Sequence, residues 1–321
     1  MPTSAKKETM TLYARAATAS RDLLGEGVLW DDRTQEIVWV DILNGKINRG
    51  MLSNDEVIVT STLTLGGFVG AVALSEDGGM LAAGKRSLVS ISPEGEVSTG
   101  PDLFGDRTDV RWNDGAVDPQ GRFIIGSLSL NDPERKEILL RIDPDGRSQV
   151  LRSRISLSNG IGFSPDGGTV YHVDSLVGTV SSHSYGPGDF DHEEAWTEVI
   201  TGFEGTPDGL TVDDQGNLWI ASWGAGVVRQ YTADGTALQT VKVNAPQTTC
   251  PAFVGTDLDV LAITSATTGL AHPERDESGF LHLARPDATG RQTLRWAGST
   301  RSPYWSSQQA ATVPNVPSPK H

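Results

Sequence analysis

The chain has 321 residues and a formal net charge of −15, and it shows no basic stripe of the kind a nucleic-acid binder needs. Its 36 glycines and 17 prolines point to many turns rather than long helices. The lone Cys250 cannot form an intramolecular disulfide, no apolar segment follows Lys6 and Lys7, and no stretch reaches the ~18 apolar residues of a spanning helix, so the expectation is a cytoplasmic protein without membrane partners.

Along the chain, a unit of short apolar strand, Asp/Gln-Gly turn and short apolar strand recurs. A weak copy, GVLWDDRTQEIVWVD, occupies 27–41. Clear copies follow at 71–84 (AVALSEDGGMLAAG), 115–128 (GAVDPQGRFIIGSL), 160–175 (GIGFSPDGGTVYHVDS) and 209–223 (GLTVDDQGNLWIASW), and a last weak copy is AFVGTDLDVLAITSA at 252–266. Anchored on Asp32, Asp77, Gln120, Asp166, Gln215 and Asp257, the six copies repeat every ~45 residues, a repeat-architecture period. Further hairpin signals, Asn44-Gly45, Asp145-Gly146 and Asp234-Gly235, fall between them. Strand and turn throughout at this period predict an all-β, six-bladed β-propeller. Residues 11–18 are expected to pair near 279–286 and close the ring. The propeller is assigned to 1–300, and 301–321, rich in Ser, Pro, Gln and Asn, to a loosely ordered tail.

The repeat register converges on polar side chains. Seven residues before each anchor stand Asn113, Asn159 and Asp208 in copies three to five, Gly70 and Cys250 in copies two and six, and Glu26 six before Asp32 in copy one. In a propeller these positions ring one mouth of the central channel. Each of the four polar residues has a glycine close behind it, so each alone would read as a turn. Together, two carboxylates and two amides make an oxygen set suited to a hard cation such as Ca²⁺, with positions left for water and substrate.

The strings LLGEGVLWDD, RTDVRWNDGAVDPQGRFIIGSL, LSNGIGFSPDGGTVYHVDS and PDGLTVDDQGNLWIASW closely resemble the senescence marker protein/gluconolactonase/luciferin-regenerating-enzyme family over residues 20–285. The resemblance implies metal-dependent hydrolysis of a small-molecule sugar lactone by a monomer or small homo-oligomer, with Ca²⁺ the expected metal and Zn²⁺, Mn²⁺ or Mg²⁺ the alternatives. It implies Glu26, Asn159 and Asp208 as metal ligands, Asp208 as general base, and Arg111 and Asn113 as substrate-binding residues. The acidic residue that mammalian members place over the substrate is replaced here by Asn131 in GSLSLNDPERKE, with Asp132, Glu134 and Glu137 nearby. Two other functions fit the same pattern: a calcium-dependent aryl-ester or phosphotriester hydrolase, and a non-catalytic calcium- or sugar-binding propeller. The six histidines have no metal-ligand spacing, Cys250 reads as a buried thiol, and no G-x-S-x-G elbow is present. Trp112, Trp219 and Trp223 read as core or channel wall.

Overall fold

A computed structural model of the chain describes residues 10–131, 135–191 and 194–306. They form six sheets, antiparallel except for one added edge strand, arranged as a six-bladed β-propeller, and the only helical segments among them are two single 3₁₀ turns. Blade one comprises Gly25–Asp31, Glu36–Asp41, Lys46–Ser53 and Glu56–Thr64, from the channel outward. Blades two to four likewise occupy 69–99, 110–155 and 158–200, and blade five 206–242. The innermost strands begin at one mouth of the channel and end in the Asp/Gln-Gly turns at the other.

Those turns fold for a local reason. Asp118 Oδ1 accepts the N–H groups of Gln120 (2.9 Å) and Arg122 (2.8 Å), and Asp213 Oδ1 accepts those of Gln215 (3.0 Å) and Asn217 (2.8 Å). The aspartate stands in for a backbone acceptor, and the glycine supplies the positive φ, +73° at Gly121, that reverses the chain. Between blades the core is apolar and fully buried, with Trp39, Trp112 and Trp219 its largest side chains.

Blade six holds Thr248–Val254, Val260–Ser265 and His282–Ala284, and its fourth strand, Arg15–Ala16, comes from the N-terminal end. Arg15 pairs with Leu283 and Ala16 with His282, within the stretch expected to close the ring. Met10–Tyr13 instead runs parallel to Ala237–Lys242 as a fifth strand of blade five. The last blade is thus knit from both ends of the propeller, so the sheet edge that a linear arrangement would expose is paired.

Beyond the last strand, residues 289–300 cross the end of the channel opposite the site. Thr289 Oγ1 donates to Asp214 (2.7 Å), Arg291 to the Pro165 carbonyl (3.0 Å), Thr293 Oγ1 to the Trp30 carbonyl (2.7 Å) and Arg295 to Asp31 (2.8 Å). The Trp296 N–H bonds the Leu74 carbonyl at 2.8 Å and that of Ala297 the Gly121 carbonyl at 2.9 Å. Five blades are therefore tied by one strap. Arg301 and Trp305 continue it onto blade two, bonding Glu94 (2.8 Å) and Ser98 (3.1 Å), while residues 307–321 of the expected tail lie outside the described residues.

Candidate functional site

All six innermost strands shift register at the same level: between Glu26 and Leu29, Val69 and Val72, Trp112 and Gly115, Ser158 and Ile161, Pro207 and Leu210, and Thr248 and Pro251. Each shift is a β-bulge, which places two residues opposite one and re-aims a side chain out of the alternating pattern. Asn113, Asn159 and Asp208 take the first bulge position of their blades, so a shared backbone irregularity turns them together toward the channel. Glu26 immediately precedes the bulge of blade one. In blade six the equivalent residue is Thr249, its hydroxyl bonded to the Gly25 carbonyl (2.6 Å) and its backbone one step ahead of Cys250. Cys250 therefore aligns with Asp114, and the register drawn from the sequence was off by one there.

These residues meet. Asn159 Nδ2 donates to Asp208 Oδ1 in a short bond, and Asn159 Oδ1 is buried with no hydrogen-bond partner. Glu26 accepts the Gly27 N–H at 3.0 Å. Arg111 donates to Asn113 Oδ1 (2.8 Å) and the Trp112 carbonyl (2.9 Å), and Asn113 Nδ2 reaches the Ser158 carbonyl (2.9 Å), joining blades three and four. Asp114, not singled out from the sequence, accepts the Gly115 N–H at 2.7 Å.

Burial sets the electrostatics. Burial first, then the charges of Asp208 and Asp114, push the Glu26 carboxyl well above its ordinary range. Burial and the Asp114 charge do the same to Asp208, against the opposing pull of Asn159 and Arg111. Burial lifts Asp114 to about 6 and brings Arg111 down to about 10. Burial, reinforced by Glu26 and Asp114, pushes the Cys250 thiol up, which removes it as a nucleophile. Three carboxylates cluster with one guanidinium near only two of them, Glu26 and Asp208, so the group lacks positive charge, and an amide oxygen lacks a donor. Both deficits are met by one hard cation, so the residues present fit a divalent metal. The ligand set is two acids and an amide: among the described residues no three His, Cys, Asp or Glu side chains stand together at metal-ligating spacing.

A second layer orients the first. Asp41 accepts the N–H groups of Leu23 (3.1 Å) and Leu24 (3.2 Å), directly before Gly25-Glu26. Asp174 holds Ser156 and Leu157 in the same way before Ser158-Asn159. Arg152 bonds His172 Nδ1 at 2.9 Å, which makes that nitrogen the acceptor and leaves Nε2–H to donate to Ser158 Oγ at 2.7 Å. A histidine that donates to a serine is no base for it, so this buried pair is a support, not a nucleophile. Gly126 makes room for it, since a Cβ there would collide with the Ser158 hydroxyl.

Of the remaining expectations, Trp112 and Trp219 are core and Trp223 is half-buried. Asn131 is exposed beyond Phe123–Ser129, with its N–H 3.4 Å from Ser129 Oγ and no hydrogen bond to Arg111, Asn113 or the carboxylates. Asp132 and Glu134 lie outside the described residues. Glu137 is occupied by Ser127 and Arg107, both at 2.6 Å.

The fold and this site define a six-bladed propeller with a buried cluster of oxygen-bearing side chains at one channel mouth. The SMP-30/Gluconolactonase/LRE-like region model matches residues 24–267, and the chain belongs to that family. It is 33% identical to a 6-deoxy-6-sulfogluconolactonase of Pseudomonas putida over 86% of this chain and 96% of that one. It is 32% identical to a pentonolactonase of Haloferax volcanii, covering 89% and 98%. The calcium-binding protein regucalcin from Agrobacterium tumefaciens superposes with a TM-score of 0.80 at 28% identity, over 89% of this chain and 98% of that one.

Proposed function

We propose that this chain is a metal-dependent lactonase that hydrolyses a sugar lactone to the open-chain acid. The observation that carries the reading is the buried Asn159 Oδ1 without a donor, on the residue bonded to Asp208, in a cluster where the Glu26, Asp114 and Asp208 carboxylates crowd one another. The lactonase names of the two relatives support the same chemistry.

Glu26, Asn159 and Asp208 would hold the cation, with Ca²⁺ favoured by an all-oxygen set. When bound, a divalent cation supplies Lewis-acid polarisation of the lactone carbonyl. Asp208 accepts a proton from the attacking water and returns it to the ring oxygen as the C–O bond opens. Arg111, braced by Asn113 and the Trp112 carbonyl, has guanidinium N–H groups left to grip sugar hydroxyls in a fixed fork. Asn113 completes that wall, and Asn131 covers the substrate from its loop.

The test is a pH-indicator assay of metal-stripped protein with Ca²⁺, Zn²⁺, Mn²⁺ or Mg²⁺ restored. Gluconolactone, galactonolactone, arabinonolactone and an aryl ester serve as substrates, with Asp208→Ala as control. Metal-dependent opening of a sugar lactone, lost in the control, is the expected result. Turnover of the aryl ester alone would replace the reading with an esterase, and metal binding without turnover would replace it with a binding protein.

A further inference from the structure

At the mouth, Lys85 of blade two and Arg111 of blade three lie over one aromatic ring, Phe68. Phe68 directly precedes the first strand of blade two, Val69–Leu74. The Arg111 guanidinium lies 5.7 Å from the centroid of its ring and the Lys85 ammonium 5.5 Å. Lys85 follows Met80–Gly84, and its carbonyl accepts the Trp112 N–H at 3.0 Å, so its backbone is fastened to the strand that carries Arg111.

The neighbouring Arg86 is fully engaged, bonding Asp102 at 2.6 Å and the Gly105 carbonyl at 2.7 Å. Lys85 differs. It is exposed, and among the described residues its ammonium has neither a hydrogen bond nor an ion pair. Phe68 and Lys85 also line a cavity of about 340 Å³, together with Gly66, Gly67, Ser87 and Thr99. Leu65, Val69, Val89 and Val97 make part of its wall apolar, and its one carboxylate, Asp102, is bonded to Arg86.

Charge completes the argument. With a divalent cation at the site, the ion and Arg111 balance Glu26, Asp114 and Asp208. Lys85 is then surplus positive charge beside the pocket, in a chain whose net charge is −15. The geometry points to Lys85 as a specificity residue that receives an anionic substituent of the lactone, a phosphate, sulfonate or carboxylate carried away from the ring being opened, with Phe68 as the platform between it and Arg111. This rests on the lactonase reading and narrows it to acidic sugar lactones.

The experiment compares kcat/KM for gluconolactone, its 6-phosphate, 6-deoxy-6-sulfogluconolactone and the carboxylate-bearing glucarolactone in wild type, Lys85→Ala, Lys85→Arg and Lys85→Glu. The wild type should prefer at least one anionic substrate. Lys85→Ala should lower kcat/KM for that substrate about tenfold, the lower end for a hydrogen bond to a charged group, and leave gluconolactone within about twofold. Lys85→Arg should retain the preference and Lys85→Glu invert it. Which anionic substrate responds tells phosphate, sulfonate and carboxylate apart. Calorimetry of the metal-free protein with 6-phosphogluconate and gluconate gives a readout independent of turnover: tighter binding of the phosphate, lost in Lys85→Ala, is expected. A wild type that opens gluconolactone with no anionic preference overturns this inference alone. A wild type that opens no lactone overturns the lactonase reading, and equal binding of the two acids then overturns the anion site as well.

Discussion

Asn159 gives its side-chain N–H to Asp208 across the seam between blades four and five and leaves its own carbonyl oxygen without a partner. A buried amide oxygen without a donor costs free energy, and so does a carboxylate crowded by two others. Both costs fall when a cation binds. The metal-free protein should therefore be less stable than its scaffold allows.

Asp208→Asn removes one of the crowded charges while keeping the shape. Melting in chelator should rise by about 2–4 °C relative to wild type, the shift expected for ~1 kcal/mol of relieved repulsion in a large domain. The same variant should lose most of a Ca²⁺-induced stabilisation that wild type should show, ~2.7 kcal/mol at a hundredfold excess over Kd. Lactone hydrolysis should fall by at least ~10²-fold. A variant that melts lower than wild type in chelator, or keeps the full calcium shift, sinks the charge-crowding account.

His172 supports the site from behind, and its burial is titratable. Burial, followed by the Arg152 charge, holds the imidazole well below its ordinary value. The folded protein keeps His172 neutral while the unfolded chain takes up a proton near pH 6.5, so the unfolded state binds more protons below that point. Stability is full above pH ~6.5 and declines as pH falls, at up to ~1.4 kcal/mol per pH unit. His172→Gln should flatten that slope between pH 6.5 and 5 in denaturant melts. An unchanged slope would mean that His172 is not the group responsible.

The same histidine tests the positioning role. His172→Phe leaves the Arg152 guanidinium and the Ser158 hydroxyl without their partner, and destabilisation of ~2–4 kcal/mol is expected. Because the Ser158 carbonyl holds Asn113, kcat/KM should fall about tenfold in the variant that still folds and binds calcium, with His172→Gln in between. Full activity in folded His172→Phe protein would make the pair structural only.

What was legible in the sequence is what repeats. The turn anchors, strand pairs and six-blade count follow from Asp/Gln-Gly spacing; Asn113, Asn159 and Asp208 stand out because they recur at one register, and Glu26 because it lies one residue off it. The bulge at that register was not legible, since a bulge adds one residue without changing composition. That is why Cys250 was aligned where Thr249 belongs and Asp114 was passed over. The Arg152–His172–Ser158 support was hidden because its members meet across strands, with no spacing to mark them. The strap has no periodicity at all: it is held by single side chains reaching blade turns, so the sequence counts 289–300 with the propeller without showing what they tie, and reads their continuation from Arg301 as a tail.

That strap predicts an acid transition. Asp77 accepts the Thr300 N–H at 2.7 Å, its hydroxyl at 2.6 Å and the Gly79 N–H at 3.2 Å. These donors outweigh partial burial and bring the carboxyl down to about 2. A carboxyl lowered on folding stabilises the protein fully above its unfolded value of 3.8 and loses that contribution as pH falls through about 2. Wild type should melt above Asp77→Ala at pH 6, and the gap should narrow between pH 4 and 2. A gap constant across that range would show that the charge on Asp77 is not what holds Thr300.

Ring closure gives the sharpest structural test, because two short N-terminal strands do different work. Met10–Tyr13 adds a fifth strand to the outside of blade five, a sheet that already has four. Arg15–Ala16 is the fourth strand of blade six, and Ala17 next to it bridges two blades: its N–H bonds the Leu281 carbonyl and its carbonyl accepts the Val57 N–H, both at 2.8 Å. Deleting residues 1–13 should lower the melting temperature by only a few degrees, about the loss of one edge strand. Deleting residues 1–17 should lower it much further and favour aggregation, because it bares the edge of His282–Ala284 and cuts the tie between blades six and one. Parallel melts and light scattering of the two truncations decide it. If both deletions cost the same, closure does not depend on Arg15–Ala17, and the strap at 289–300 holds the ring instead.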